Sequence, residues 1–532
     1  MPNLFLFEFD SYGDALRTRR YATGGGFRTG RAESPPLAAY EPRVVDAGNI
    51  EVFMFRNGTT MGSSSPGSGN VALNNADGAL DFLRDEGQGG RPLYIREQVE
   101  VNNAPGTRYP TDFPVRFAGT VLTSEVSNPR VTFSVSNKIA QIAVLPVQEL
   151  KYAGTNDGAT QFLEGTSTDI KGLPKPVLRG HAGNFSPPLV DAPSLTYQLS
   201  SEPVDAVDAV YIGRDPMTPA TVHTTLSAFL ASAPSAGTYH AYLGDPLAAY
   251  GSHERACYVR LGSVPNYKVT VDATEGATPA DRTVAQIARR EFARKGFALN
   301  AASAAALDVA CPYEVGHWQG TDEAAFSDVM DAYCVSVAAF WTSDLAGEFV
   351  VGRFGLPTAG EVAATFDERI LLGLPKVKAV QNNDPNAGVP VHRVNLGYDQ
   401  NYTQMSESEI AGVAIGDVGY ASNPFRTEPA DDPSVLVKYL NSPELNINTK
   451  LRYKPDASAQ AAYFLNLHKV YRALVEVRVP SSLAAGLDLN SVFRVAGRLY
   501  RIIGRTVRFP TADNQGVTTQ AVTFQAWGGI DG

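Results

Sequence analysis

A chain of 532 residues is too long for one ordinary core; at roughly 100–200 residues per domain it should divide into about three to five. A hydrophobic fraction of 44% excludes wholesale disorder, and a formal net charge of −10 with no long basic run argues against nucleic-acid binding as the main task. The supply of Gly (48), Pro (35), Tyr (23) and Phe (25) suits many short strands joined by tight turns.

The run from Met1 to Asp10 lacks a basic n-region and is broken by Glu8, so it is expected to be a strand and not a signal peptide. No run of about 20 apolar residues occurs, so no transmembrane helix is expected, and the chain is expected to be made and folded in a cytoplasm without export signals. Residues 1–45 continue into a polar, Gly-rich stretch through Gly24-Gly25-Gly26 and Pro35-Pro36, read as a strand followed by an arm. Residues 46–155 form a β-module. Its strands are Ile50–Phe55, Pro92–Arg96, Val115–Val121 and Val131–Val135, the last two alternating as an antiparallel pair, and Asp77 is the expected N-cap of a short helix. Residues 156–280 are a second β-rich domain, Pro-rich at its start, with an Ala/Ser/Pro-rich insertion near 219–250.

Residues 281–360 hold the clearest helices. Val284, Ile287, Ala288 and Phe292 form one apolar stripe; Phe326, Val329, Met330, Tyr333, Cys334 and Val337 form another at period 3.6. Ala338–Trp341 and Glu348–Arg353 follow as a hairpin, making an α+β unit. Residues 361–532 return to β-structure, with one helix near Ser458–Tyr471 and strands at His392–Tyr398, Ala473–Val479, Ser491–Val495 and Val522–Trp527, spaced as in a barrel or sandwich. The fold class is therefore α+β, mainly β, in several domains.

No catalytic, cofactor or metal site emerges. The histidines at 181, 223, 240, 253, 317, 392 and 468 are scattered, with no HExxH or HxH pattern, and are expected to be ordinary surface or core residues. Cys257, Cys311 and Cys334 are too few for a disulfide framework or an iron–sulfur cluster and are expected to be buried thiols. Asp205 with Asp208, or Asp85 with Glu86, offer paired carboxylates of the glycosidase kind, but nothing places either pair in a cleft. Glu428 to Asp432 is expected to be a solvated loop. Gly24–Gly26 lacks the spacing and the trailing Lys of a phosphate loop. Trp318, Trp341 and Trp527 are able to stack on sugars, although the last two lie in strand patterns that favour packing.

Several segments, taken in order, resemble tail proteins of phages and prophages. They are Asn74–Leu83, Gly90–Leu93 and Phe117–Val121; then Lys171–Val177, Ser186–Asp191, Leu195–Gln198 and Pro203–Tyr211; then Thr283–Ile287, Phe340-Trp341 and Leu345–Arg353; and finally Val394–Tyr398 with Gln525–Gly528. The resemblance covers most of 46–532. It departs near 219–250 and at the cysteines, which do not supply the cluster ligands some tail-tip proteins carry.

The resemblance implies a baseplate hub or tail-tip protein. Residues 46–155 and 361–532 would be two tail-tube-like β-barrel domains, with the smaller β and α+β modules between them. It implies a ring, a homotrimer of pseudo-sixfold character, located at the tail tip of a virion after synthesis in the host cytoplasm. Its partners would be other copies of itself, the tail tube or distal tail protein, other tail-tip and fibre proteins, and the tape-measure protein, with DNA passing through unbound. A receptor- or glycan-binding tail protein, using a peripheral patch in 219–260, is the alternative; a cell-wall-degrading tail enzyme would need convergent carboxylates or a zinc triad.

Overall fold

The computed structural model describes the chain except for residues 1–3, 57–59, 63, 102–103, 157–162, 345, 379–387, 485, 510–520 and 532. Met1 to Asn3 and Leu345, used in the sequence reading, lie outside the described residues. The fold is mainly β, in several modules, and its largest element is a 14-stranded sheet built from both ends of the chain.

The alternation in Phe5–Tyr12 explains its place in that sheet. Phe5, Phe7 and Phe9 point to one face and pack with Phe133, Phe7 and Phe9 lying 5.8 and 4.7 Å from its ring. Leu6 and Glu8 point to the other face, under Tyr40, Tyr109 and Phe113. The Glu8 carboxylate is buried there, and its Oε1 accepts from Tyr40 OH (2.8 Å), Tyr109 OH (2.8 Å) and Arg96 Nε (3.1 Å). A strand covered on both faces reads as a nearly unbroken apolar run, and the one charge in it is supplied with donors as burial demands.

From one edge the sheet runs Leu16–Ala22, Phe5–Tyr12, Pro92–Glu97, Val115–Val126, Arg130–Asn137, Ser68–Asn74 and Asn49–Phe53. It continues without a break into the C-terminal strands Arg498–Arg508, Ala521–Asp531, Ala473–Pro480 and Lys376–Lys378. The expected antiparallel pair is present, with Val121 opposite Val135. The seam pairs Phe53 with Gly504 and Ile50 with Val507, and one apolar core spans it, from Phe7 and Phe133 to Phe493 and Phe524.

The seam begins at a tight turn. Gly48 has φ +79°, and a Cβ there would lie 1.6 Å from the carbonyl oxygen of Asn70; its own carbonyl accepts Phe509 N–H at 3.1 Å.

Asp77 is not a helix cap. The short helix is a 3-10 turn at Asp81–Arg84 preceded by Leu80. Asn75 organises that turn: its Oδ1 accepts Leu80 N–H and its Nδ2 donates to Asp81, both at 2.8 Å. Asp77 instead forms a two-pronged pair with Arg43 (3.0 and 2.9 Å), which holds its carboxyl down at about 2.

Between the two ends of the chain lie two five-stranded sheets. One contains Val177–Phe185, Ala206–Ile212 and Val269–Thr274; the other contains Thr196–Ser200, Cys257–Leu261, Thr238–Tyr242 and Thr218–His223. A shared cluster joins them, with Leu178, Phe185 and Val271 from the first and Leu199, Tyr239 and Val259 from the second. The 219–250 stretch supplies Thr218–His223, the helix Leu226–Ala231 and Thr238–Tyr242, the two strands pairing in parallel across the helical crossover.

The helices Val284–Arg294 and Phe326–Ser336 form where the stripes place them, and Ala339–Ser343 pairs with Phe349–Arg353, Trp341 opposite Val351. Phe292 sits among Phe326, Phe349 and Trp341 at ring distances of 5.1, 4.9 and 5.9 Å. A helix at Ala301–Ala310 adds to the module. The sheet Arg426–Asp431, Arg393–Tyr398 and Glu444–Asn448 packs on the helix Lys454–His468 through Val394, Leu396, Ala461 and Phe464. Glu428–Asp431 is thus edge strand and not loop; Pro429 is tolerated because an edge strand leaves one side unpaired.

Two outcomes test this packing. Gly48→Ala should destabilise the chain by about 1–3 kcal/mol from backbone strain alone, read by urea denaturation. Trp341→Ala, which removes the ring and its Nε1 hydrogen bond to Asp331 (2.7 Å), should cost about 3–5 kcal/mol, with Trp341→Phe costing clearly less.

Candidate functional site

Along its main path the long sheet ends in two edge strands, with Val44–Asp46 and Val362–Phe366 as further edges on its branches. Leu16–Arg19 pairs inward with Phe5–Tyr12 and has no strand partner on its outer side among the described residues. Arg19 is neutralised by Glu86 and lies 4.5 Å above the Phe82 ring. At the opposite edge, Lys376–Lys378 pairs inward with Ala473–Pro480. The chain leading into it exposes Leu374 (84%), beside Ile370 and Leu372, and the strand itself exposes Val377 (63%), while Lys376 is neutralised by Glu476 at 3.2 Å. Exposed apolar side chains along an unpaired edge are what a sheet joint between subunits requires, and what a free edge ordinarily avoids.

A cavity of about 310 Å³ lies where the N-terminal strands, the Asp344 turn and the C-terminal hairpin meet. Its charged lining is Glu97, Arg116, Asp344, Asp488 and Arg505, with Ser481 beside them. Arg116 Nε donates to Glu97 at 2.7 Å, and Arg505 Nη1 donates to the Leu487 carbonyl at 2.7 Å. Burial raises the Asp344 carboxyl above the usual range, the neighbouring charges of Asp488 and Glu348 adding to this against backbone N–H groups that lower it. The cavity sets three carboxylates against two guanidiniums at a junction; none of its lining residues forms a nucleophile–base pair.

A second polar junction joins the middle sheets to the C-terminal module. His181 Nδ1 lies 2.8 Å from Thr274 Oγ1 and 3.4 Å from Asp208. His317 Nδ1 lies 3.3 Å from Tyr402 OH, and Lys450 Nζ donates to Gln400 at 2.6 Å. Burial pushes the Lys450 amine down to about 8. Asp399 is held by Arg452 and by Arg426 at 2.9 Å. The space left among these groups is about 10 Å³, room for about one water.

The other residues singled out from sequence go separate ways. His223 and His240 face each other at 3.1 Å on neighbouring strands. His392 bonds the Ser442 carbonyl (3.0 Å), and half-buried His468 lines a small pocket with Phe55 and Phe464. His253 contacts Glu164 and Tyr258. Asp205 accepts Gly276 N–H (2.6 Å) and Asp208 accepts Thr274 (2.7 Å); Glu86 is taken by Arg19 and Asp85 caps the 3-10 turn. The acids at 428, 431 and 432 pair with Lys454, Arg393 and Lys469. All three cysteines are buried and free, and burial raises each thiol. Trp341 and Trp527 are packed inside; Trp318 stacks on Phe185 at 4.8 Å. Gly24–Gly26 makes a turn after Leu16–Ala22. Among the described residues, no group of three or more His, Cys, Asp or Glu side chains is placed to hold a metal.

No family model matches the chain, and no curated protein matches it. Among solved structures it is similar to the 43 kDa tail protein of prophage MuSo2 from Shewanella oneidensis, at 8% identity over 98% of each chain with a TM-score of 0.37. It is also similar to a tail protein from Neisseria meningitidis MC58, at 8% identity over 98% of this chain and 96% of that one, TM-score 0.34. A chain of a native gene transfer agent virion matches at 15% identity over 68% of this chain and 86% of that one, TM-score 0.38. The solved neighbours are thus phage tail proteins and a virion component. At these scores the likeness carries no argument about what the chain does.

Two half-buried histidines give a pH signature. Burial holds His468 down to about 4, and burial with the Lys450 charge holds His317 well below 6.5. The unfolded chain takes protons below about 6.5 that these folded residues refuse, so stability falls as pH drops from about 6.5 toward 4. His468→Gln should lose about 2 kcal/mol less than wild type between pH 7 and pH 5, measured by urea denaturation at both values.

Proposed function

We propose that this chain is a structural, non-enzymatic protein of a phage tail tip, a baseplate-hub subunit that closes with copies of itself into a ring joining the tail tube to the distal tip. One observation carries the reading: the main path of a single sheet drawn from both ends of the chain terminates in two edge strands, and among the described residues no strand lies on the outer side of Leu16–Arg19 or of Lys376–Lys378, the latter edge carrying exposed Leu374 and Val377. Joining unlike edges of successive copies is a heterologous contact, and such a contact closes into a ring when its rotation divides the circle. Closure also removes the edges that would otherwise invite aggregation.

The ordered motifs that resemble tail proteins point the same way. They favour three copies per ring, with the first and last β-modules as the tube-building units. Neighbours on this reading are the tail tube or distal tail protein, other tip and fibre proteins and the end of the tape-measure protein. A chain with a net charge of −10 suits a channel that DNA traverses without being held.

Purified protein should form closed rings of three by mass photometry and negative-stain microscopy, and Val377→Asp should leave the fold intact by circular dichroism while shifting the population to single chains. A strictly monomeric wild-type protein that lyses peptidoglycan contradicts the proposal.

A further inference from the structure

The connection into the middle sheets contains a buried cluster that the hub reading does not use. Glu164 and Lys175 are 8% and 6% exposed, and Lys175 Nζ lies 2.5 Å from Glu164 Oε1. Leu163, Tyr152 and Tyr258 are buried in the same cluster, the Tyr152 ring 5.4 Å from the amine. The second carboxylate oxygen, Oε2, accepts the backbone N–H of Ala153 at 2.8 Å. His253 completes the group: its Nε2 lies 3.3 Å from Glu164 Oε1 and its Nδ1 lies 3.1 Å from Tyr258 OH.

We propose that Lys175 and Glu164 condense into an intramolecular amide, with His253 carrying the proton. An amine, a carboxyl group, a donor to the retained oxygen and a proton carrier are all held in contact. Fixing reacting groups in this way replaces an improbable encounter with an intramolecular step. Burying an ion pair is costly in a dry interior, and neutral products are favoured there over two desolvated charges.

The step balances without any co-reactant. The ammonium passes one proton to Oε1 across the ion pair, leaving a neutral amine and a neutral acid. The nitrogen lone pair forms a bond to Cδ, and the negative charge that develops on Oε2 faces the Ala153 N–H, a donor positioned for it. The nitrogen gives a second proton to His253 Nε2, which returns it to Oε1. The Cδ–Oε1 bond breaks, Oε1 leaves as water, and Oε2 becomes the amide carbonyl. One amide and one water are formed, nothing is oxidised or reduced, and His253 ends as it began. Before the step, burial and the Lys175 charge hold His253 below its ordinary range against the opposing charges of Glu164 and Glu254, so its ring begins uncharged.

The amide would fasten the segment around Glu164 to the residues that lead into Val177–Phe185. Hydrogen bonds already link both to the chain at 150–154, from Lys175 N–H to the Leu150 carbonyl (2.8 Å), from Tyr152 N–H to the Leu173 carbonyl (3.0 Å) and from Gly154 N–H to the Glu164 carbonyl (3.1 Å). A particle that must survive outside a cell gains from a lock that cannot open by local unfolding.

Mass spectrometry of the purified full chain decides the matter. The intact protein should be about 18 Da lighter than its sequence mass, the loss of one water. Trypsin cuts after Lys151, Lys171 and Arg179 but not between Lys175 and Pro176, so the bond should yield one branched peptide joining residues 152–171 to 172–179. Lys175→Arg keeps the positive charge and should restore the full mass. His253→Gln should leave most of the protein uncondensed while it remains folded by circular dichroism. Two separate wild-type peptides of unmodified mass overturn the proposal. So does a loss of about 18 Da that persists in Lys175→Arg, which would mark dehydration elsewhere, such as at Asp77-Gly78. None of these readouts depends on whether the protein forms rings.

Discussion

The pairing of Asn49–Phe53 with Arg498–Arg508 is the contact on which the rest of the molecule depends. It brings together backbone separated by some 450 residues of sequence, Phe53 against Gly504 and Asn49 against Arg508. Met54 N–H to Ile503 and Phe509 N–H to Gly48 extend it at either end. Closing so long a loop costs entropy, which local contacts do not recover. The return comes from the apolar core that the seam makes continuous. Without it, Phe133 and Phe524 would sit in two smaller half-cores, each with an exposed strand edge. Gly48 and Gly504 let the backbones approach: the first by adopting a left-handed conformation, the second because the Phe53 ring occupies the space a side chain would take.

The modules held between the two ends are fastened differently. Arg179 and Glu291 are both buried and meet at 2.5 Å, with Arg294 on the second carboxylate oxygen, tying the strand Val177–Phe185 to the helix Val284–Arg294. Such a pair specifies geometry more than it adds stability, because desolvation offsets much of the attraction. The polar cavity at Asp344 and the Lys450 junction follow the same logic. Each places charged groups where modules meet and satisfies most of them there. A chain built from dissimilar modules needs defined angles at its joints, and directional polar contacts provide them.

Much of the local structure was legible in the sequence. The stripes beginning at Val284 and Phe326 announce their helices because large apolar residues recur at helical spacing. The helix Ala301–Ala310 has no such signature, because alanine on every face leaves no stripe; only Ala304, Leu307 and the Asn300 cap mark its sense. Asp77 misled because an acid before a polar turn looks like a cap, while the organising side chain is Asn75, two positions earlier. Glu428–Asp431 looked like a loop since its acids and Pro429 are unusual in strands, and edge position is a tertiary property. The seam itself was invisible: alternation in Ile50–Val52 and in Val507 states that each strand has a buried face, and says nothing about which strand lies beside it. The candidate assembly surface was equally hidden, since exposed Leu374 and Val377 cannot be told from core residues by residue type alone.

If the protein is a ring-forming connector, its long sheet must continue from one copy to the next. Electron cryomicroscopy of the purified assembly, at a resolution that separates strands, tests this directly. The account predicts that Lys376–Lys378 of each copy lies in the joint, with Leu374 and Val377 covered by its neighbour. A closed assembly in which that strand faces open solvent, or particles that remain single chains at every concentration, would contradict it.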